Sequence, residues 1–389
     1  MVLSQLNLQN FRSYAKKTFE FSPATTLIVG PNTAGKTNIL EAIMMTATGK
    51  SFRADSDREA IAWGSDVGRI GAEIAPPEVA PIKSGLPGPE QLKLEMVLTV
   101  GEVQGQKAPL KKYLVNGVAR RQVDFVGNLR AVLFWPEHLE LVTDSPSLRR
   151  KYLDSVLVQV DREYRRNLYS YERGLRQRNR LLDMINEGKA DRRQLLFWNQ
   201  LLIRTGNYLT DKRTEFIEFI NNYFSSDESS RNREVSRNSS RLHSNNIIEY
   251  DKSVISESRL EQYKEEEVAA KATLVGPHRD DFVISKFSIS NSQFSLKDQK
   301  MIELSIYGSR GEQRLAILWL KLAELSFIEQ QTGERPILLL DDIFSELDEE
   351  HRRLVLDVVG KQQTIITSAE DNVVNLLEKK RLDHTIIRL

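Results

Sequence analysis

At residues 30–37 the chain reads Gly30-Pro31-Asn32-Thr33-Ala34-Gly35-Lys36-Thr37. This stretch matches G-x-x-x-x-G-K-S/T, the pattern of a phosphate-binding P-loop. The β-branched run at 25–29 predicts a buried strand before it, and the apolar spacing at 38–45 predicts a helix after it. Because the loop then opens a helix, unpaired N–H groups and the helix dipole attract phosphate there. We therefore predict that residues 30–37 and Asn38 bind a nucleotide.

The residue types of the loop indicate separate roles. Gly30 and Gly35 let the backbone approach the anion closely. Lys36 is the predicted catalytic cation, which contacts the β- and γ-phosphates of ATP, and the Thr37 hydroxyl is a predicted ligand of Mg²⁺. Arg12, in the turn of a predicted hairpin, has two interpretations: a surface turn residue, or a further group that contacts the nucleotide.

A second stretch, at 336–342, consists of aliphatic residues that end in two carboxylates. A continuous apolar run is typical of a central parallel strand, and ligands bind at the carboxyl ends of such strands. Asp341 is therefore a predicted Mg²⁺ ligand together with Thr37, and Asp342 is predicted to orient or deprotonate the attacking water. Since Mg²⁺ joins both stretches, the ATPase core must be built from both ends of the chain.

The predicted fold is α/β, a P-loop ATPase lobe with a mixed or parallel sheet, into which a mostly helical lobe is inserted. Lobe I comprises 1–140 and 266–389, and lobe II comprises 141–265. Within lobe II, 225–258 has few apolar residues and predicts a disordered insertion.

Shorter stretches carry local predictions. Prolines and glycines at 73–90 predict an exposed loop, and Asn116-Gly117 predicts a hairpin turn. Residues 271–275 predict a strand that leads into Gly-Pro-His-Arg-Asp-Asp at 276–281. Two adjacent carboxylates beside an arginine are unusual there, and the simplest interpretation is a charged loop that pairs with itself.

A helix predicted after residue 307 has Ser309 as its N-cap, which makes its start a second potential anion site. Gly311 permits the close approach of another backbone. Leucines at helical spacing predict the buried stripe of this helix: Leu315, Leu318, Leu322 and Leu325.

Residues 147–223 form a proline-free helical pattern that is rich in arginine. One interpretation is a solvated basic face, and the other is a surface that binds nucleic-acid phosphates. Between 162 and 180 the arginines far outnumber the acidic residues, which favours DNA binding. The candidate DNA-binding residues are Arg162, Arg165, Arg166, Arg173, Arg176, Arg178 and Arg180.

Composition excludes several other classes of protein. The chain has 55 Lys plus Arg against 54 Asp plus Glu, so its net charge indicates no partner. It has no cysteine, which excludes disulfide frameworks and cysteine zinc sites, and its five histidines have no metal-ligand spacing. No apolar run approaches the roughly 18 residues of a membrane span, and the N-terminus lacks a signal-peptide pattern. We expect a cytoplasmic protein with no membrane partner.

Taken together, these stretches resemble the ABC-type ATPase heads of SMC and Rad50 proteins, and more closely the RecF family of bacterial recombination proteins. The stretches that carry the resemblance are 10–14, 30–38, 134–137, 147–154, 276–282, 309–314 and 337–348. The Gly-Pro-His-Arg-Asp-Asp segment is the most specific to this family. The lack of a long coiled-coil pattern argues against SMC and Rad50 proteins themselves.

The resemblance implies names and roles for these residues. Lys36 and Thr37 belong to Walker A, Asp341 and Asp342 to Walker B, 309–313 to the signature loop and 345–348 to the D-loop. In such heads two subunits enclose two ATP molecules, and the signature loop caps the partner's γ-phosphate. By resemblance, Ser309, Gly311 and Gln313 bind ATP in this way, with Ser309 also catalytic.

Two departures from the family pattern imply slow hydrolysis. Asp342 stands where many ABC proteins have Glu, and residues 367 and 368 lack the usual switch histidine. The implied function is a DNA-binding ATPase of recombinational repair that forms an ATP-dependent homodimer on duplex and gapped DNA. Slow, DNA-stimulated hydrolysis releases it, and with RecO and RecR it helps to load RecA near single-strand gaps.

Three alternatives stay open at this point. A nucleotide-gated DNA clamp with negligible hydrolysis would share every one of these stretches. An ATPase subunit of a transporter is a different class, against which the basic insertion argues. A structural scaffold of the SMC kind would require the coiled coil that the sequence lacks.

Overall fold

The computed structural model describes residues 2–75, 91–223, 246–288, 300–370 and 372–389. The chain divides into a P-loop unit, Met1–His138 with Glu324–Leu389, and a helical unit, Leu139–Ala323. The first boundary lies close to the predicted residue 140. The second lies at 323 rather than 265, so 266–323 belong to the helical unit and not to lobe I.

The strands, in chain order, are β1 (Val2–Phe11), β2 (Tyr14–Glu20), β3 (Thr25–Val29), β4 (Val67–Ala75), β5 (Leu92–Thr99), β6 (Glu102–Val103), β7 (Gln106–Lys107), β8 (Lys111–Val115), β9 (Val118–Arg120), β10 (Ala131–Phe134), β11 (Asn246–Asp251), β12 (Asp281–Ser288), β13 (Lys300–Glu303), β14 (Ile337–Asp341), β15 (Thr364–Ser368) and β16 (His384–Arg388). The helices are α1 (Lys36–Thr48), α2 (Gln122–Phe125), α3 (Glu140–Thr143), α4 (Pro146–Val160), α5 (Arg162–Asn186), α6 (Leu195–Tyr223), α7 (Glu257–Gln262), α8 (Lys264–Ala270), α9 (Leu304–Tyr307), α10 (Arg310–Thr332), α11 (Ile343–Glu346), α12 (Glu349–Val359) and α13 (Asn372–Lys379).

A parallel sheet in the order β10-β14-β15-β3-β16 forms the centre of the P-loop unit. Strands β3, β14 and β15 are short apolar runs that are buried along their whole length, as expected where a sheet is covered on both faces. Both neighbours of β3 come from the last part of the chain. The predicted assembly of the core from both chain ends is therefore confirmed, and the carboxyl ends of these strands meet at one edge.

This unit also contains an antiparallel sheet in the order β2-β1-β4-β5-β8-β9 and a small two-stranded sheet, β6-β7. The predicted hairpin turn at Asn116-Gly117 joins β8 to β9, and the positive φ of both residues suits a tight hairpin turn. The loop predicted at 73–90 begins later than expected, because 73–75 pair with β1 as part of β4. Residues 76–90 lie outside the described ranges.

In the helical unit, α4, α5 and α6 account for the predicted helical run at 147–223. The carboxylate of Asp161 accepts hydrogen bonds from the backbone N–H groups of Glu163 and Tyr164 and so caps α5. An antiparallel sheet, β11-β12-β13, also belongs to this unit. Across the described part of the chain, no helix combines the length and apolar character that crossing a membrane requires.

Of two predictions for the helical unit, one is wrong in part and the other is wrong. The insertion predicted to be disordered ends earlier than 258, because 246–251 form β11 and Ile255 is fully buried; residues 224–245 lie outside the described ranges. Residues 271–275 are not a strand. Side chains bind their backbone instead, since Asn179 Oδ1 accepts from Thr273 N at 2.9 Å and Glu267 Oε1 accepts from Leu274 N at 2.9 Å.

The segment 276–281 is not a loop that pairs with itself, because both carboxylates bind arginines of α4 and α6. Asp280, fully buried, accepts hydrogen bonds from Arg213 at 3.0 Å and from the backbone N–H of Ser253 at 2.8 Å. Asp281 forms a two-point ion pair with Arg149, at 2.6 and 2.9 Å. Buried charges of this kind require partners, so the segment fastens the helices of its unit together.

Helix α10 carries a broader buried face than the predicted leucine stripe. Leu318 and Leu325 are buried, whereas Leu315 and Leu322 are only half-buried. The residues that fill the core beside them are Ala316, Trp319, Leu320 and Ala323. The helix is therefore confirmed, but its face is rotated toward Trp319.

Candidate functional site

The P-loop lies between β3 and α1, as predicted. Gly30 N donates to Ser368 O of β15 at 3.3 Å, which fixes the start of the loop beside that strand's end. Gly35 has φ 98°, a left-handed conformation that favours glycine. A Cβ there would lie 2.8 Å from the Tyr14 hydroxyl oxygen, so the hairpin turn between β1 and β2 packs directly on the loop. Helix α1 begins at Lys36, and its first N–H groups face the loop.

The Lys36 side chain is buried and binds the backbone at the start of the P-loop. Its Nζ donates to Gly30 O at 2.7 Å and to Pro31 O at 2.9 Å. An ammonium group has three N–H donors, so one remains for a phosphate oxygen. The cation is thus held in place by the same backbone that would surround the phosphates.

The two Walker B carboxylates stand at the end of β14, at the same edge of the sheet. Asp341 is buried, and its Oδ1 accepts from Thr367 Oγ1 of β15 at 2.6 Å. Asp342 has φ 48°, and its backbone N–H donates to Thr367 O at 3.2 Å. Burial raises the pKa of Asp342, and the neighbouring Asp341 raises it further, while the Ala369 backbone and Lys36 oppose that shift. A carboxylate with a raised pKa is a better proton acceptor than an ordinary one.

Magnesium fits this donor set. Thr37 supplies a half-buried hydroxyl, which has no hydrogen-bond partner among the described residues, and Asp341 keeps a carboxylate oxygen beyond its bond to Thr367. Mg²⁺ prefers such oxygens and completes its shell with water and phosphate, so a protein cage of many carboxylates is not needed. When bound, the ion would neutralise charge on the β- and γ-phosphates.

Arg12 and Asn38 lie beside the P-loop, and both already have partners. The Arg12 guanidinium binds Glu41 of α1 at two points, 2.9 and 2.6 Å, and donates to Glu59 O at 2.7 Å. Asn38 bridges Ser13 and Arg53, at 3.0 and 3.1 Å. Arg12 is therefore a structured member of this site, and its contact with a nucleotide remains a prediction.

The signature residues lie in the helical unit, at the start of α10. Glu312 accepts from both the backbone N–H and the hydroxyl of Ser309, at 2.9 Å each, and these bonds lower the pKa of Glu312. Glu312 N donates in return to Ser309 Oγ at 3.3 Å, so the predicted N-cap is confirmed as a capping box. Nothing lies within 4 Å of a Cβ built on Gly311.

Gln313 differs from its prediction. Its side chain is buried, and Nε2 donates to Leu304 O at 2.8 Å. It therefore supports the turn before the helix, and its amide does not point outward toward an ATP phosphate in this structure. Ser309, Arg310 and Gly311 are the exposed members of the loop.

The candidate DNA-binding arginines separate into two groups on α5. Arg178 is 2% exposed, and each of its three guanidinium nitrogens donates a hydrogen bond, to Asn199, Thr273 and Glu267, which removes it from the candidates. Arg165 is half-buried and donates to Val158 O at 2.5 Å. The others are exposed at helical spacing and form what we call the arginine face: Arg162, Arg166, Arg173, Arg176 and Arg180.

Breaking the Arg178 network should cost stability. Glu267→Gln leaves a buried guanidinium without its carboxylate, and we expect a loss of about 3 kcal/mol in the free energy of unfolding. Denaturant unfolding followed by circular dichroism measures this. The matched control is Glu265→Gln, which breaks the exposed pair with Arg192 in the same unit and should barely move the midpoint. Equal effects of the two variants would contradict the structural role of Arg178.

Sequence reasoning missed several residues of the site. Residue 367 was predicted only to lack the switch histidine, yet the Thr367 hydroxyl donates to Asp341 Oδ1. Glu41, a carboxylate among apolar residues of α1, was not singled out, although its position three residues after Asn38 places both on one helix face. Outside this site, the partners of 276–281 on α4 and α6 of the helical unit also have no local signal in the sequence.

The P-loop and the Walker B carboxylates lie at one edge of a parallel sheet that is built from both chain ends, and a helical unit is inserted between those ends. Together these features define an ABC-type ATPase head. The chain belongs to the RecF/RecN/SMC N-terminal domain family, whose model matches residues 2–383.

Known relatives agree with this assignment over 98% or more of the chain. The "DNA replication and repair protein RecF" of Lachnoclostridium phytofermentans is 34% identical, over 98% of this chain and 97% of that protein. The protein of the same name from Herpetosiphon aurantiacus is 35% identical, over 100% of this chain and 99% of its own length. A solved structure of "the recombination mediator protein RecF-ATPrS in RecFOR pathway" covers 100% of this chain and 96% of that chain, with TM-score 0.77 and 26% identity.

Proposed function

We propose that this chain is an ATP-dependent DNA-binding protein of recombinational repair. The observation that supports this most directly is the convergence of Lys36, Asp341 and Asp342 at one edge of the parallel sheet. The names of its relatives, which describe DNA replication and repair, support the same function.

In the proposed cycle, ATP joins two copies of the chain on DNA. The P-loop of one copy binds the phosphates through Lys36 and its backbone N–H groups. Ser309 and Gly311 of the second copy cap the γ-phosphate, where the exposed start of α10 favours an anion. Asp342 accepts the proton of the attacking water, and slow hydrolysis, stimulated by DNA, then releases the dimer. RecO and RecR are the proposed partners at single-strand gaps, with loading of RecA as the outcome.

DNA binding measured with ATP, with ADP and without nucleotide tests this function. We expect binding to duplex and gapped DNA that requires ATP, and dimerisation under the same condition in sedimentation velocity. Binding and dimerisation without any measurable turnover would favour the nucleotide-gated clamp. Failure to bind DNA under every nucleotide condition would contradict the proposal and favour a transporter-type ATPase subunit.

The arginine face is the proposed DNA contact, and salt dependence tests it. Replacing Arg173, Arg176 and Arg180 together by Ala should make the slope of log affinity against log salt shallower by about 2 to 3, since each lost phosphate contact removes about 0.9. ATP binding should be unaffected. Arg192→Ala with Arg193→Ala is the control, because both are exposed cations of the same unit that pair with neighbouring carboxylates. An unchanged slope in the triple variant would make the arginine face a merely solvated surface.

Asp342→Asn should separate ATP binding from turnover. The amide keeps the shape of the side chain but cannot accept a proton, so turnover should fall by about 100-fold or more. ATP should still bind, because Asp341 remains as the metal ligand, and the ATP-bound dimer should persist. Asp357→Asn, in an exposed ion pair of the same unit, is the control. Rapid dissociation of the Asp342→Asn dimer in saturating ATP would refute the role of hydrolysis in release.

A further inference from the structure

Glu41 is a fully buried carboxylate in the second turn of the P-loop helix α1. On one side its oxygens bind the Arg12 guanidinium at 2.9 and 2.6 Å. On the other side Oε1 accepts from Ser51 Oγ at 2.5 Å, and Oε2 lies 3.8 Å from the Arg53 guanidinium. One carboxylate therefore joins two segments that are distant in sequence, the β1-β2 turn and residues 51–53.

Asn38 repeats the same connection one helical turn earlier. Its Nδ2 donates to Ser13 Oγ at 3.0 Å, and its Oδ1 accepts from Arg53 at 3.1 Å. Residues three apart on a helix share a face, so Asn38 and Glu41 form two successive links between the same two segments. We call this arrangement the α1 bracket, made of Asn38 and Glu41 with their partners.

The bracket matters for the nucleotide because the turn that it holds touches the P-loop. Ser13 Oγ and the Tyr14 hydroxyl lie 2.9 and 2.8 Å from the place where a Gly35 Cβ would stand. The Tyr14 hydroxyl is buried without a hydrogen-bond partner among the described residues, so packing against the loop, not hydrogen bonding, accounts for its position. If the turn moved, the P-loop would lose the packing of Ser13 and Tyr14 against Gly35.

Packing alone does not account for a charged residue at position 41. A buried carboxylate is unfavourable unless it is paired, and an apolar residue would fill this position of α1 at less cost. Arg12 satisfies the charge and is oriented by it. Of the five N–H groups of Arg12, two bind Glu41 and one binds Glu59 O, so two remain, on a side chain that is 20% exposed.

We propose that Glu41 is a positioning residue for nucleotide binding: it orients Arg12 and holds the β1-β2 turn and residues 51–53 beside the P-loop. It acts through Arg12 and does not itself contact the nucleotide. This inference rests on the proposed nucleotide site and assigns a function to a residue behind it.

A double-mutant cycle on the full chain tests the inference. The affinity for a fluorescent ATP analogue is measured for the Glu41→Gln and Arg12→Ala variants and for the variant with both changes, well below each melting temperature. We expect each single change to weaken binding about tenfold, and the double variant to bind no worse than either single one, since coupled residues are not additive. A merely structural Glu41 would lower the melting temperature without this coupling.

The control is Glu334→Gln, which breaks the ion pair with Arg130 at 3.0 Å. This pair belongs to the same unit but precedes β10 and β14, at the opposite edge of the parallel sheet, so nucleotide affinity should not change. Unchanged affinity in Glu41→Gln, or a roughly hundredfold, additive loss in the double variant, would overturn the inference.

Two further variants keep the test decisive. If Glu41→Gln does not fold, Ser51→Ala removes the hydrogen bond to the same carboxylate, and with it the bonds that the Ser51 hydroxyl accepts from Arg53 N and Ala54 N. It should weaken ATP binding at least about threefold, which corresponds to one net hydrogen bond of ~0.7 kcal/mol. Wild-type affinity in Ser51→Ala would then overturn the inference. ATP binding that survives Lys36→Ala would instead contradict the proposed nucleotide site itself, so the two failures are distinguishable.

Discussion

Lys36→Ala should weaken ATP binding by about 1000-fold, equivalent to about 4 kcal/mol, while the chain stays folded. Lys36 contributes the P-loop's buried cation, and its ammonium is already fixed by Gly30 O and Pro31 O. A preorganised, desolvated charge contributes more to phosphate binding than a mobile surface lysine does. ATP-dependent dimerisation and DNA binding should be lost with it.

Isothermal titration with ATP measures the loss, and circular dichroism shows that the variant is folded. Lys17→Ala is the matched control, because Lys17 is an exposed lysine on β2 of the same unit. This variant should bind ATP with the affinity of the unaltered chain. If Lys36→Ala retained near-normal affinity, the assignment of the P-loop as the nucleotide site would have to be abandoned.

Mixing two inactive variants should restore dimerisation, which is the second large effect. In the proposed dimer each ATP contacts Lys36 of one copy and Ser309 of the other. Lys36→Ala alone and Ser309→Arg alone damage both sites of every dimer, so neither variant should dimerise in ATP. A mixed dimer has one site with both lesions and one with neither. Partial recovery is therefore expected in the mixture, because ATP favours the species with an intact composite site.

Sedimentation velocity of the two variants, alone and mixed, gives the result. Ser256→Arg is the control for Ser309→Arg, since Ser256 is the N-cap of α7 in the same unit. Its replacement removes a helix cap but no proposed contact with the nucleotide. This control should dimerise normally in ATP. Normal dimerisation of Ser309→Arg by itself would rule out a shared site, because a bulky cation cannot replace the cap of a γ-phosphate.

The P-loop and the Walker B strand were predictable from sequence because each of these two parts is local. A P-loop has fixed spacing, and a short aliphatic run that ends in Asp341 needs no distant information to be recognised as a buried strand. The order of the sheet was less accessible. Only the expectation that Thr37 and Asp341 hold one Mg²⁺ placed β3 and β14 in the same sheet, and the position of β15 between them had to be found in the structure.

Arg178 and Gln313 are buried where the sequence predicted side chains available to DNA or ATP, for related reasons. Residue type indicated a charge for phosphate or a polar contact for ATP, but burial depends on partners far along the chain. Arg178 lies on the same helical stripe as the buried Tyr171 and Leu182, a pattern that was present in the sequence. Its partner Glu267 follows 89 residues later, and no spacing rule connects them.

The helices of the helical unit were predicted, but the contacts that hold them together were not. Helical periodicity identified α4 to α6, whereas the role of 276–281 depended on Arg149 and Arg213 lying against it. The conformation of 271–275 also depends on side chains outside the segment. Asn179 and Glu267 accept hydrogen bonds from backbone N–H groups that a β-strand would otherwise pair with a neighbouring strand. Such side-chain competition has no signal in propensity alone.

The order β15-β3-β16 also has a consequence for synthesis on the ribosome. Strand β3 emerges early, but both strands that flank it belong to residues 364–388. At roughly 5–20 residues per second, translation takes about twenty seconds to a minute to deliver them. During that interval the apolar β3 has no neighbours in its sheet, and the P-loop that follows it has no fixed starting point. Nascent chains should therefore remain unable to bind ATP until β15 and β16 have been made.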